Sequence, residues 1–260
     1  MDSRKLKATV GGLIACGIAI YAALHGRDRT GESAVQPPMT PVSARAGQAD
    51  DRRRADFDFY LLAMSVHAAW CADGNIGKRE CRAGIDHPLV IHGLWPERLE
   101  PRTYPRDCAG PRLDLEDATA AELRPFMPGM QSGLHDHEWR EHGTCSGLGD
   151  DDYFRATLSF ARDLDAALRA ILTTKAGGEM EAPDLRAAAD TMRAGFGRTI
   201  TLHCRTLRDA PPGRRDRPYL VEVRQCVDDD GPRGGPGTPL DCATMKRRDQ
   251  GCGGSFGIAR

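Results

Sequence analysis

A surplus of charge is the first thing this sequence lacks. Its 260 residues include 36 Lys+Arg against 37 Asp+Glu, a formal net charge of −1. Proteins that hold nucleic acid on an extended basic face carry a clear excess of cations, so that class is excluded. Residues 1–55 hold nine of the cations and only five of the anions, which leaves the remainder mildly acidic. Asparagine is nearly absent: Asn75 is the only one, and Asn75-Ile76-Gly77 is no acceptor for an N-linked glycan. There is no internal repeat. With 28% charged and 40% hydrophobic residues, the chain is not disordered throughout. Its length suits one or two domains with a substantial core.

The N-terminus reads as an address. Arg4, Lys5 and Lys7 precede an uncharged stretch from Ala8 to Leu24 that includes Leu13, Ile14, Ile18 and Ile20. A positive flank before an apolar run is the layout of a signal peptide, and the run sits at the lower edge of what spans a bilayer. Residues 1–25 are therefore expected to be a signal peptide or an uncleaved membrane anchor. Leu13-Ile14-Ala15-Cys16 also resembles a lipobox, which keeps lipidation at Cys16 as a third reading. Residues 26–55 have linker composition, rich in Gly, Pro, Ser and charge and ending in Arg52-Arg53-Arg54, a solvated charge run. The folded domain is expected over residues 56–260.

Apart from Cys16, eight cysteines remain: Cys71, Cys81, Cys108, Cys145, Cys204, Cys226, Cys242 and Cys252. An even number behind an export signal reads as four disulfides in an extracytoplasmic protein, whether periplasmic, secreted or anchored facing outward. A zinc site needs cysteine pairs two to four residues apart, and no two of these are so close. Spacing alone leaves the pairing open.

Periodicity points to mixed secondary structure. Phe57, Phe59, Leu61 and Ala63 mark a buried strand, and Leu89-Val90-Ile91 is a second, short strand that stops before Gly93 and Pro96. Phe154, Leu158, Ala161, Leu164, Leu168 and Ile171 fall at helical steps. Pro183 opens a further helix through Met192, and Ile200–His203 and Leu220–Arg224 read as strands. Asp209–Arg217 and Asp228–Pro239 read as loops. Without a regular β-α-β rhythm, the fold class is α+β.

Five of the eight histidines lie between His87 and His142. One cluster is Ile91-His92-Gly93-Leu94-Trp95-Pro96. The other is His137-Glu138-Trp139-Arg140-Glu141-His142-Gly143-Thr144-Cys145. The second is no zinc-protease motif, because His137 and His142 are five residues apart and would point about 140° away from each other on a helix. If the segment is helical, Glu138 and His142 are neighbours one turn apart. A single histidine is more often a satisfied core residue than a catalyst, but two such clusters are not. Imidazoles beside a carboxylate, with no serine or free cysteine to attack, suit RNA cleavage. There the substrate supplies its own 2′-hydroxyl, and the protein supplies a base, an acid and donors for the phosphorane.

These two segments resemble the signatures of the ribonuclease T2 family. The resemblance extends to Phe59–Ser65, Cys71, Tyr153-Phe154 and Tyr219–Val223, covering roughly residues 56–252. It implies a single domain with a central antiparallel β-sheet flanked by helices and stapled by disulfides. It implies a metal-independent endoribonuclease without cofactors, acting on single-stranded RNA through a 2′,3′-cyclic phosphate that is then hydrolysed. His142 would be the general base and His92 the general acid, with roles exchanged in the second step. Glu138 would polarise the phosphate or stabilise the transition state, and His137 would bind it. Trp95 and Tyr104 would stack on a base and Glu97 would read its edge; stacking tolerates every base, so broad specificity is expected. The implied pairings are Cys108–Cys145, Cys71–Cys81, Cys204–Cys252 and Cys226–Cys242. A monomer is expected, with membrane attachment only through the N-terminal segment.

Relatives usually carry lysine at the position of Glu141, as a cation for the dianionic phosphorane. Arg140 is the expected substitute on the sequence alone. The exchange also motivates a second reading, a catalytically weakened member serving as an RNA-binding or interaction module. Val66, where relatives often have tryptophan, is a smaller departure. A third reading, an unrelated disulfide-stapled secreted binder, would make both histidine clusters coincidental.

Overall fold

The structure, a computed structural model, describes residues 54–82, 84, 86–100, 104–230 and 235–260. The expected signal or anchor segment and most of the linker lie outside the described residues. Among those described, no helix is long and apolar enough to cross a membrane.

Among the described residues, seven strands form one sheet: β1 (Phe59–Val66), β2 (Leu89–Glu97), β3 (Glu179–Glu181), β4 (Ile200–Arg205), β5 (Tyr219–Asp229), β6 (Pro236–Pro239) and β7 (Ser255–Gly257). The path runs β2-β1-β5-β7-β3, with β4 and β6 also paired to β5. All pairings are antiparallel except the contact of β5 with β7 at Tyr219 and Gly257. Five α-helices accompany it among the described residues: α1 (His67–Cys71), α2 (Asp117–Leu123), α3 (Leu134–Glu141), α4 (Asp150–Thr174) and α5 (Ala182–Met192). The fold is thus α+β with a mixed sheet.

The long helix α4 lays Phe154, Leu158, Ala161, Leu164, Leu168 and Leu172 on the main core. Asp150, Asp151 and Asp152 in its first turn complement the positive end of the helix dipole. Alternate residues of β1 face opposite ways: Tyr60, Leu62 and Met64 join the main core, whereas Phe59 and Leu61 join a smaller cluster with Cys226 and Cys242. With both faces covered, β1 reads as a continuous apolar run. Among the described residues, four disulfides join Cys71 to Cys81, Cys108 to Cys145, Cys204 to Cys252 and Cys226 to Cys242, the same pairs that the resemblance implies.

Three expectations need correction. Strand β2 does not stop at Ile91 but continues through Gly93 and Pro96 to Glu97. Proline is tolerated there because β2 is the edge strand of the sheet, where one side of the ladder needs no donor. The segment Asp228–Pro239, read as loop, carries the end of β5 and all of β6. Arg54 and Ala55, assigned to the linker, are already tied to the domain: Ala55 N–H donates to the Cys145 carbonyl at 3.0 Å, and Arg54 pairs with Asp229 and covers the Phe57 ring.

Candidate active site

Strand β2 carries an extra residue at His92. Ala63 faces Gly93 and Met64 faces Ile91, so His92 has no partner in β1. Such a bulge re-aims side chains by breaking the alternation of the pleat. Leu94 and Ile91 both reach the main core although they lie an odd number of residues apart. His92 is thereby released from the core-facing row and remains 39% exposed.

His92 Nδ1 donates to Glu222 Oε2 of β5 at 2.8 Å, and its Nε2 lies 3.8 Å from Glu138 Oε1. Burial acts to lower the His92 pKa, but the hydrogen bond and charge of Glu222, with help from Glu138, outweigh it and raise the pKa above the usual value. Glu222 moves the other way: its bonds to His92 and Arg224 overcome burial and hold its carboxyl down at about 2.

Helix α3 supplies the opposite wall. Trp139 anchors it, fully buried, with its ring N–H donating to the Pro111 carbonyl at 2.9 Å and its ring edge-on to Tyr153. A side chain at Gly143 would collide with the Trp139 ring, which explains the glycine just beyond the helix. With Trp139 held, the neighbouring Glu138 is driven inward and is 1% exposed. Trp95 Nε1–H donates to Glu138 Oε2 at 2.8 Å. A Cβ at Gly93 would occupy the space of that carboxylate and of Trp95 Nε1, so glycine is required for the approach. Burial raises the Glu138 pKa, partly countered by His92 and the Trp95 hydrogen bond.

His142 follows α3 directly, and its Nε2 lies 3.9 Å from Glu138 Oε2. Its Nδ1 is buried without a hydrogen-bond partner among the described residues, so nothing on that side stabilises an imidazolium. Burial first, then the charges of His137, His92 and Arg106, lower its pKa to about 3. Two imidazoles therefore face one buried carboxylate from opposite walls, with their proton affinities driven apart. Such a separation suits an arrangement in which one group holds a proton and the other accepts one.

The Trp95 ring lies between the two histidines, with its centroid 5.1 Å from that of His92 and 5.4 Å from that of His142. Tyr104 is stacked at a tilt 6.2 Å from His142. Trp95, Glu97, Tyr104 and His142 line one hollow of about 370 Å³ together with Arg224 and Arg247. Glu97 is nearly buried and accepts from Arg247 Nη2 at 2.8 Å. A second hollow, of about 510 Å³, is lined by His92, Glu222, His203, Ser65, Arg224 and Gln250 among others.

His137 is exposed at the rim. Arg140 is also exposed, roughly 160° around the helix from Glu138, and its guanidinium makes no hydrogen bond or ion pair with the described residues. Glu141 lies 3.9 Å from Arg106 Nη1. Sequence reasoning did not single out Glu222, Arg224, Arg106 or Arg247 as site residues. Glu222 and Arg224 could have been suspected, since charges alternating with Val221 and Val223 mark an outward face, but nothing in one strand says which site that face adjoins. Among the described residues, no group of three or more His, Cys, Asp or Glu side chains is arranged to hold a metal ion.

Residues 57–234 match the family model of the ribonuclease T2 family. A ribonuclease of Aeromonas hydrophila is 30% identical over 177 residues, covering 68% of this chain and 74% of that protein. Ribonuclease I of Escherichia coli is 33% identical over 164 residues, covering 49% of this chain and 60% of the relative. Among solved structures, ribonuclease MC1 from bitter gourd seeds matches with a TM-score of 0.60 at 26% identity, over 77% of this chain and 99% of that one. A variant of the same enzyme in complex with 5′-GMP matches at the same TM-score of 0.60 and 27% identity. With the matched span containing both walls of the cleft and most of the sheet that holds them, the chain belongs to the ribonuclease T2 family.

Proposed function

We propose that this T2-type endoribonuclease cleaves single-stranded RNA without a metal and with broad base tolerance. The carrying observation is the pair of imidazoles around Glu138, one starved of stabilising partners and one charged by Glu222. His142, neutral at working pH, takes the proton of the 2′-hydroxyl as the 2′-oxygen attacks phosphorus. His92, protonated, gives its proton to the departing 5′-oxygen. The products are a 2′,3′-cyclic phosphate and a free 5′-hydroxyl. In the second step His92 takes a proton from water and His142 returns one to the 2′-oxygen, leaving a 3′-phosphate. Glu138 polarises the phosphate and stabilises the transition state. His137, at the rim, contacts the phosphate. Trp95 and Tyr104 offer rings to a base and Glu97 a polar edge, an arrangement that stacks on any base. The substrate supplies the nucleophile and the imidazoles move the protons, which is why the chemistry calls for no metal.

The four disulfides support a site of action outside the cytoplasm, because such bridges form and persist in oxidising compartments. The test is incubation of the full-length protein with single-stranded RNA in excess EDTA, followed by analysis of the ends. Cyclic phosphate is expected, with its formation abolished in both His92→Ala and His142→Ala. Intact RNA would support instead the RNA-binding reading that Glu141 raises.

A further inference from the structure

The cleft has a charge problem. Glu138, Glu222 and Glu97 line it, and Glu141 stands where relatives carry the cation for the phosphorane. A dianionic phosphorane beside these carboxylates needs a fixed positive charge, and removing such a donor typically costs about 10²–10³ in turnover. Arg140 faces away from Glu138, as described above. Arg106 is paired with Glu141 and largely exposed. Arg247 is spent on Glu97 and on the Arg98 and Met245 carbonyls. Arg205 pairs with Asp73.

Arg224 is different. It projects from β5 opposite Ala63, on the same face as Glu222, which stands opposite Ser65. Its Nε donates to Glu222 Oε1 at 2.5 Å, and its guanidinium carbon lies 5.1 Å from the Trp95 ring centroid. One carboxylate thus holds both Arg224 and His92. The two terminal nitrogens of Arg224 have no hydrogen-bond partner among the described residues, and the side chain remains 24% exposed. Arg224 and Gln250 are the residues common to the hollow that contains His92 and the hollow that contains His142. Arg224 is thus the cation that borders both hollows.

We propose that Arg224 is the cation that binds the scissile phosphate and stabilises the phosphorane, a role transferred from the end of α3 to the centre of the sheet. The inference rests on the ribonuclease reading above. Arg224 donates two N–H groups to the non-bridging oxygens, in the forked geometry that suits phosphate. Because charge on those oxygens grows between the diester and the phosphorane, the contact strengthens along the reaction, so it acts on kcat more than on KM.

The test uses the full-length protein and a fluorescent oligoribonucleotide. Arg224→Ala is expected to lower kcat about 10²–10³-fold with a far smaller change in KM. In that background, Glu141→Lys restores the cation at the position used by relatives and is expected to recover at least about tenfold of the loss. A rate for Arg224→Ala within a few-fold of the parent overturns the proposal. So does a loss that Glu141→Lys leaves untouched, which marks Arg224 as merely structural. If the parent protein itself cleaves no RNA, it is the ribonuclease reading that fails, and the two failures are told apart in one experiment.

Discussion

Glu222 shows how one residue outside the signature segments sets the chemistry of one inside them. Its carboxylate fixes the tautomer of His92 by accepting from Nδ1, leaving Nε2 turned towards Glu138. A general acid must be protonated, so a raised pKa extends activity towards higher pH until the proton is lost. In the proposed mechanism the general base, His142, must be neutral, and its lowered pKa, about 3, keeps it available far into acid. The profile of kcat/KM against pH is therefore expected to be a broad plateau, with its alkaline limb set by His92 above the ordinary histidine value. Glu222→Gln keeps the shape of the side chain and removes its charge. The alkaline limb should then move to lower pH while the acid limb stays. An alkaline limb that does not move would show that Glu222 leaves the proton on His92 unaffected.

At the scale of elements, the site is a meeting of the bulge in β2 with the last turn of α3. The bulge turns His92 out of the core, and Trp139 presses α3 close enough for Glu138 to reach between the two imidazoles. Gly93 is where the elements come nearest, because its missing side chain is the space the Glu138 carboxylate occupies. Gly93→Ala is expected to reduce turnover by on the order of 10²-fold, the scale of a displacement of about 1 Å at a catalytic group. Its thermal midpoint should change little by comparison, since β2 is an edge strand and can shift outward. Single-turnover kinetics beside a melting curve separates the two effects, and an equal fall in both would contradict this account. The sequence marked His92, Gly93 and Trp95 as important. It gave the wrong local setting, a turn after a short strand, because glycine and proline are punctuation in most contexts and only edge position makes them tolerable within a strand.

At the scale of the whole molecule, the bridges hold the cleft as well as the fold. Cys108–Cys145 ties the loop bearing Tyr104 and Arg106 to the turn after α3, where Asp107 N–H also donates to the Glu141 carbonyl at 2.9 Å. Replacing both cysteines with serine is expected to cost about 2–4 kcal/mol of stability. It should also lower activity in folded protein more than the same change at Cys71 and Cys81, whose bridge closes a loop with none of the cleft's proton-transfer groups. Denaturant titration with turnover at a temperature where each variant is folded tests the contrast. The local facts were readable from sequence alone: helical spacing in α4, the apolar run of β1, alternation in β5, and two histidine segments whose residue types match one chemistry. Each depends on neighbours within a few positions of the chain. What only the tertiary structure decided is which cations and carboxylates share the cleft. Glu222 and Arg224 lie 130 or more positions from His92, and Arg247 lies 150 from Glu97. Their meeting is fixed by strand order and register, so a near-neutral sequence still builds a cleft whose local charges are strongly unequal.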